Sequence, residues 1–144
     1  MKRKIIKDFV EPVLSATWGK HVWAPVSVSV LAHGDNGDIL VLDSGDGYEL
    51  PGGLLKGVDT LKEAGRREVR EETGCEVEVG ELLEISTEKG RFPGVHFFFE
   101  AEVTEANLEG SWEGNPEFVS RSEIKDLEWK LHHSHVHEYL FPSD

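Results

Sequence analysis

Apolar and polar positions alternate over residues 22–33, with Val26, Val28 and Val30 on one side and Ser27 and Ser29 on the other, as in a half-buried β-strand. Gly34-Asp35-Asn36-Gly37 predicts a turn and residues 39–42 its hairpin partner. A second turn, Ser44-Gly45-Asp46-Gly47, leads to a short strand at 48–50 that Pro51-Gly52-Gly53 stops. The period then changes. Thr60 followed by Glu63 marks a capping box, Leu61, Ala64 and Val69 supply apolar positions, and Gly74 is a stop, so a helix is predicted over 60–73. Strands are expected at 75–79, 82–87 and 95–103, the last carrying Phe97-Phe98-Phe99, of which alternate residues face inward. Residues 104–116 read as loop and Phe118-Val119 as a short strand, after which Ser120 and Glu123 form a second capping box for a helix near 122–127. The tail, 130–144, is predicted helical as far as Tyr139, and 1–21 is a weakly patterned lead-in whose Pro12 keeps any helix short.

At 144 residues the chain fits a single domain, 1–144, and its 38% apolar and 30% charged residues are ordinary globular usage. Charge narrows the partners. Fifteen Lys and Arg face 28 Asp and Glu, a net −13 that opposes the phosphate attraction on which duplex nucleic-acid and anionic-membrane binding depend. An acidic chain acting on a small phosphorylated substrate needs a cation in between, and a divalent metal supplies it. The lone cysteine, Cys75, has no intramolecular disulfide partner and reads as a small buried apolar residue. Asp8, Glu11 and Pro12 interrupt any apolar signal segment, and no apolar run is long enough for a membrane helix, so a cytoplasmic location is expected.

The chemistry concentrates between Leu50 and Cys75. On the predicted helix Glu68, Glu71 and Glu72 stand at i, i+3 and i+4, which places three carboxylates on one face within a turn. Like charges so spaced destabilise a helix by about 0.2–0.5 kcal/mol per pair, a cost that a bound cation removes. All-oxygen ligation suits Mg2+ or Mn2+, and Gly52-Gly53 allows a backbone carbonyl to approach the same ion.

This segment resembles the signature of the Nudix hydrolases, G-x5-E-x7-R-E-U-x-E-E-x-G-U with U apolar. Gly53, Arg67, Glu68, Val69, Glu71, Glu72 and Gly74 match, Cys75 takes the last apolar place, and Asp59 stands where the first glutamate is usual. Lys56 and Val58 also depart from the usual loop. The run from Tyr48 through Leu50-Pro51-Gly52-Gly53, and downstream Phe118-Val119 with Glu123-Ile124, extend the likeness over roughly residues 22 to 128.

The resemblance implies an α/β fold, an α/β/α sandwich with a mixed β-sheet. It also implies metal-dependent hydrolysis of the pyrophosphate linkage in a nucleoside diphosphate joined to another group X, such as a nucleoside triphosphate, ADP-ribose or another nucleotide sugar, or a dinucleoside polyphosphate. In such enzymes the residues matching Glu68, Glu71 and Glu72 bind Mg2+ or Mn2+, the carbonyl matching Gly52 completes the site, and the arginine matching Arg67 orients the carboxylates. Glu68, or an acid from a later loop, would take the proton. A further ligand commonly precedes the late strand, where Glu113 and Glu117 are candidates. Resembling proteins often form homodimers, and residues 1–21 could extend such an interface.

The alternative is a non-catalytic Nudix-fold module that senses a nucleotide; loss of one of the three glutamates would favour it, and all are present. His133 and His137, spaced i, i+4 in the tail, raise a zinc reading, but without a Cys or a second spaced pair they fit surface histidines better. Phe98, Tyr48, Phe92, Trp112 and Trp18 are candidates to stack on a base, although packing is the commoner role.

Overall fold

The computed structural model describes residues 25–88, 94–130 and 140. Its elements run β1 (Val26–His33), β2 (Ile39–Asp43), β3 (Tyr48–Glu49), β4 (Gly52–Leu54), α1 (Leu61–Thr73), β5 (Glu76–Glu88), β6 (Gly94–Glu105), β7 (Asn115–Val119) and α2 (Arg121–Ile124). The lead-in, most of the tail with its histidines, and the candidates Trp18 and Phe92 lie outside the described residues.

All seven strands join one mixed sheet. β1 is its axis. One edge of β1 runs parallel to β6 from Val26↔Val95 to His33↔Glu102, and the other is shared between β4, at Ser27↔Leu54 and Ser29↔Gly52, and β2, at His33↔Ile39. β2 in turn carries β3 and β7, and β5 closes the far side against β6.

A strand paired on both edges in mid-sheet can also be covered on both faces. Val30, Ala32, Leu40 and Ala101 meet Val69 of α1 and Cys75 on one face. Leu31, Ile39, Val41 and Phe98 meet Ile124 of α2 and Leu140 on the other. This is the mixed-sheet sandwich that the resemblance implies, with one correction to the strand pattern. Ser29 does not face solvent as simple alternation suggests, because the face it points to is also covered and leaves it buried. For the same reason Phe98 and Phe99 are both buried although they point to opposite faces.

Three boundaries differ from the expected ones. The strands predicted at 75–79 and 82–87 are one strand, since β5 passes Gly80 through register shifts between Val79 and Glu84 without leaving β6. Gly52 and Gly53 continue the chain into β4 instead of ending structure. β7 begins at Asn115, earlier than the pattern at Phe118 indicates, because it pairs with the whole of β2.

Helix α1 is closed at both ends by its own sequence. Thr60 Oγ1 accepts from the Glu63 N–H at 3.2 Å while Glu63 Oε2 accepts from the Thr60 N–H at 2.9 Å, the reciprocal capping box. Gly74 ends it at φ +77°, donating its N–H to the Arg70 carbonyl. A Cβ at Gly74 would lie 2.2 Å from the Asn107 carbonyl oxygen, and the Glu109 N–H donates to the Thr73 carbonyl at 2.8 Å, so the helix end is fastened to the 106–110 segment. Gly74→Ala combines left-handed strain with a backbone collision; denaturant unfolding should show a loss of more than about 1 kcal/mol, and an unchanged midpoint would contradict this packing.

Candidate active site

The inner face of α1 buries Ala64, Gly65, Glu68, Val69, Glu72 and Thr73. Two of these are carboxylates, Glu68 at 6% and Glu72 at 5% exposure. Small residues make room for them. A Cβ on Gly65 would already lie 3.1 Å from Val30 Cγ2, and one on Gly53 would lie 2.6 Å from Glu68 Oε1, so bare backbone is needed for the helix to approach β1 and for the Glu68 carboxyl to lie on β4.

Glu72 is the most constrained group. Its Oε2 accepts a hydrogen bond from the Gly52 N–H at 3.3 Å, and its buried Oε1 has no donor. What Glu72 meets besides Gly52 is the carboxyl groups of Glu113 and Glu68. Burial first, then the nearness and charge of the Glu113 carboxyl, and to a smaller extent Glu68, push the Glu72 pKa well above the ordinary carboxylate range, against the opposing pull of the Gly52 N–H. Carboxyls in such contact are held together by a shared proton or by a cation.

Arg67 supplies the only fixed positive charge that touches this cluster among the described residues. Its Nε donates to Asp59 Oδ2 at 2.9 Å, Nη1 to Glu68 Oε1 at 2.9 Å and to Glu71 Oε2 at 3.4 Å, and Nη2 to the Leu54 carbonyl at 3.4 Å. Burial opposes the guanidinium charge, but the Asp59 and Glu68 hydrogen bonds and the charges of Glu68 and Glu71 outweigh it and raise the Arg67 pKa. Asp59, although one methylene shorter than the glutamate usual at its place, does reach this arginine.

The helix therefore brings Glu68 and Glu72 together and leaves Glu71 on the outer side, its side chain 52% exposed and paired with Arg67. Of the two later candidates, Glu113 lies against Glu72, whereas Glu117 lies against Tyr48, where its charge, ahead of burial, raises the phenol pKa. Glu113 is placed by a tight turn in which Ser111 and Gly114 exchange backbone hydrogen bonds and the Glu113 N–H donates to Ser111 Oγ at 3.2 Å. Spacing along the chain does not distinguish Glu113 from Glu117; the turn does. Among the described residues, no three His, Cys, Asp or Glu side chains are already opened onto one ion position, since these carboxyls point at Arg67, Gly52 and one another. The donor set nevertheless fits a hard divalent cation, with an unpaired buried oxygen on Glu72, two further carboxyls, and a glycine backbone within reach.

The family model described as NUDIX domain matches residues 23–140. The chain belongs to the Nudix family. None of the curated proteins matches it by sequence. Among solved structures, a NUDIX hydrolase from Nitrosomonas europaea is 22% identical with a TM-score of 0.71, over 83% of this chain and 72% of that one. A MutT protein from Methanosarcina mazei Go1 is 24% identical with a TM-score of 0.68, over 83% and 96%. A UDP-X diphosphatase is 20% identical with a TM-score of 0.63, over 81% of this chain and 60% of its own. At these identities the likeness extends to the Nudix fold.

Of the stacking candidates, Phe98 is buried in the core and Trp112 is 92% exposed in the turn that places Glu113. Cys75 is fully buried beside Val69, and among the described residues no helix is long and apolar enough to cross a membrane. Sequence reasoning missed the polar trio of Ser27, Ser29 and His96. Two serines at alternate positions in an otherwise apolar strand, and a histidine beside a run of phenylalanines, were the signals for it.

A carboxyl whose pKa is higher in the folded than in the unfolded chain favours the fold at low pH and loses that contribution as pH rises towards its folded value. In EDTA, the unfolding temperature should therefore decline as pH is raised from about 5. Glu72→Gln should flatten this decline, and an equally steep decline in that variant would contradict the burial ascribed to Glu72.

Proposed function

We propose that this Nudix-family chain is a metal-dependent pyrophosphohydrolase acting on a nucleoside diphosphate linked to another group X. The observation that carries the reading is the buried Glu72, with an oxygen that lacks a donor and the carboxyls of Glu68 and Glu113 against it beside the Gly52 backbone. Glu68, Glu72 and the Gly52 carbonyl, with Glu71 and Glu113 at the margin, would hold Mg2+ or Mn2+. Bound there, the divalent ion supplies neutralisation of pyrophosphate charge and acidification of water.

The protein's own contribution is positional. Arg67 fixes the Glu68 and Glu71 carboxylates from one side and ties them to Asp59 and the end of β4. The Gly52 N–H fixes Glu72 from the other. Attack of water on phosphorus breaks a P–O–P bond and releases a proton, for which a carboxylate oxygen of Glu68 is the proposed acceptor. The names of the similar structures, MutT and UDP-X diphosphatase, support the substrate class and leave X open.

The test is product identification after incubation with nucleoside triphosphates, nucleotide sugars and dinucleoside polyphosphates, with and without Mg2+. Metal-dependent cleavage of one class supports the reading and names X. Nucleotide binding without turnover would instead support a sensing module. Glu71→Gln should retain the fold, judged by its unfolding curve, while turnover falls by more than about tenfold; full turnover would remove Glu71 from the site.

A further inference from the structure

On the sheet face turned away from α1, the N-terminal half of β1 and the adjoining part of β6 carry a polar trio. Ser27 Oγ lies 2.8 Å from His96 Nδ1, and Ser29 Oγ lies 2.7 Å from His96 Nε2. In a neutral imidazole one nitrogen donates and the other accepts, so one serine accepts a hydrogen bond from the ring and the other donates one to it. The ring is thereby fixed at both ends. Ser29, 2% exposed, is the buried anchor, and Ser27, half-buried, keeps hydrogen-bonding capacity beyond the ring at the accessible end.

The fold does not require this trio. Further along the same face Leu31 and Phe98 fill the equivalent positions with apolar side chains, and exchanging a buried hydrogen-bonded set for apolar groups of similar shape is close to neutral. Its surroundings indicate what it could recognise. Ser27 stands opposite Leu54 in the β1–β4 ladder, and Leu54 is 55% exposed, so hydrogen-bonding groups adjoin a bare apolar side chain. A flat heterocycle uses both, resting its ring on Leu54 and presenting a hydrogen-bonding edge to Ser27. A phosphate would find no Lys or Arg among these residues, and a sugar hydroxyl would leave Leu54 uncovered.

The trio adjoins the carboxylate cluster. Gly52 pairs with Ser29 so closely that a Cβ would lie 2.9 Å from Ser29 Cα, while the Gly52 N–H is donated to Glu72. One residue separates the two sites. We propose that this strip determines base specificity, with Ser27, oriented by His96 on the buried Ser29, hydrogen-bonding the base edge of the nucleoside part of the substrate. This rests on the proposed function only in taking a nucleotide as the ligand.

Binding of the adenosine, guanosine, cytidine and uridine 5′-monophosphates, titrated by calorimetry with Mg2+ present, tests the strip without hydrolysis, since a monophosphate has no P–O–P bond to break. Wild-type protein should bind one base at least roughly tenfold more tightly than the others, and in Ser27→Ala and His96→Phe that ratio should fall towards one. Equal affinities in the wild type, no binding of any monophosphate, or a preference that survives Ser27→Ala would overturn the proposal. Should His96→Phe fail to fold, Ser27→Ala, a small change at a half-buried position, carries the test. Base-selective binding lost in Ser27→Ala but without hydrolysis of any substrate would keep the strip and remove the hydrolase reading. Hydrolysis with a base preference unaltered by Ser27→Ala would do the reverse.

Discussion

Glu72 lies beneath the sheet with one oxygen on the Gly52 N–H and the other without a donor, beside the carboxyls of Glu68 and Glu113. Burying a carboxylate is expensive unless charge or hydrogen bonds compensate it. The surrounding structure supplies little compensation of its own. Gly52 offers one donor, Arg67 serves Glu68 and Glu71, and Glu113 adds further negative charge. The site is thus built with a deficit of positive charge in a chain whose net charge is already −13, and the proposed divalent cation would offset the local imbalance.

Arg67 sits where the helix, the loop at Asp59 and the end of β4 meet, and its donors reach all three. A lysine at that place would keep the charge but lose the planar fork that addresses several acceptors at once. The outer pair formed by Arg66 and Arg70 with Glu76 is of a different kind, an exposed set that joins the helix to the start of β5 and contributes little to stability. The same residue types thus serve two purposes on one helix, separated by which face they occupy.

Local signals made a good part of this legible in advance. The capping boxes at Thr60 and Ser120, the stop at Gly74 and the triplet Glu68, Glu71, Glu72 are contained within a few residues, so the sequence displays them directly. What it did not display depends on partners far along the chain. Ser29 reads as a solvent-side residue until a second covering layer is known. The continuity of β5 past Gly80 depends on its pairing with β6, and the choice between Glu113 and Glu117 depends on a turn geometry that composition alone does not specify. Propensity and spacing describe neighbours in sequence, whereas the depth of the site is decided by neighbours in space.

The segment between β6 and β7 looks from outside like an ordinary exposed connection, with Trp112 open to solvent. It is fastened at both ends of its working part, by the Glu109 N–H on the Thr73 carbonyl and by the reciprocal Ser111 and Gly114 bonds that hold Glu113 over Glu72. Surface loops ordinarily accept changes of length freely. Here an inserted residue would shift the register of the Glu113 carboxyl against the helix, so this connection behaves as a gauge of fixed length, and length variation within the chain is expected to accumulate instead at turns such as Asn36-Gly37, where nothing lies within 4 Å of a Cβ built on the glycine.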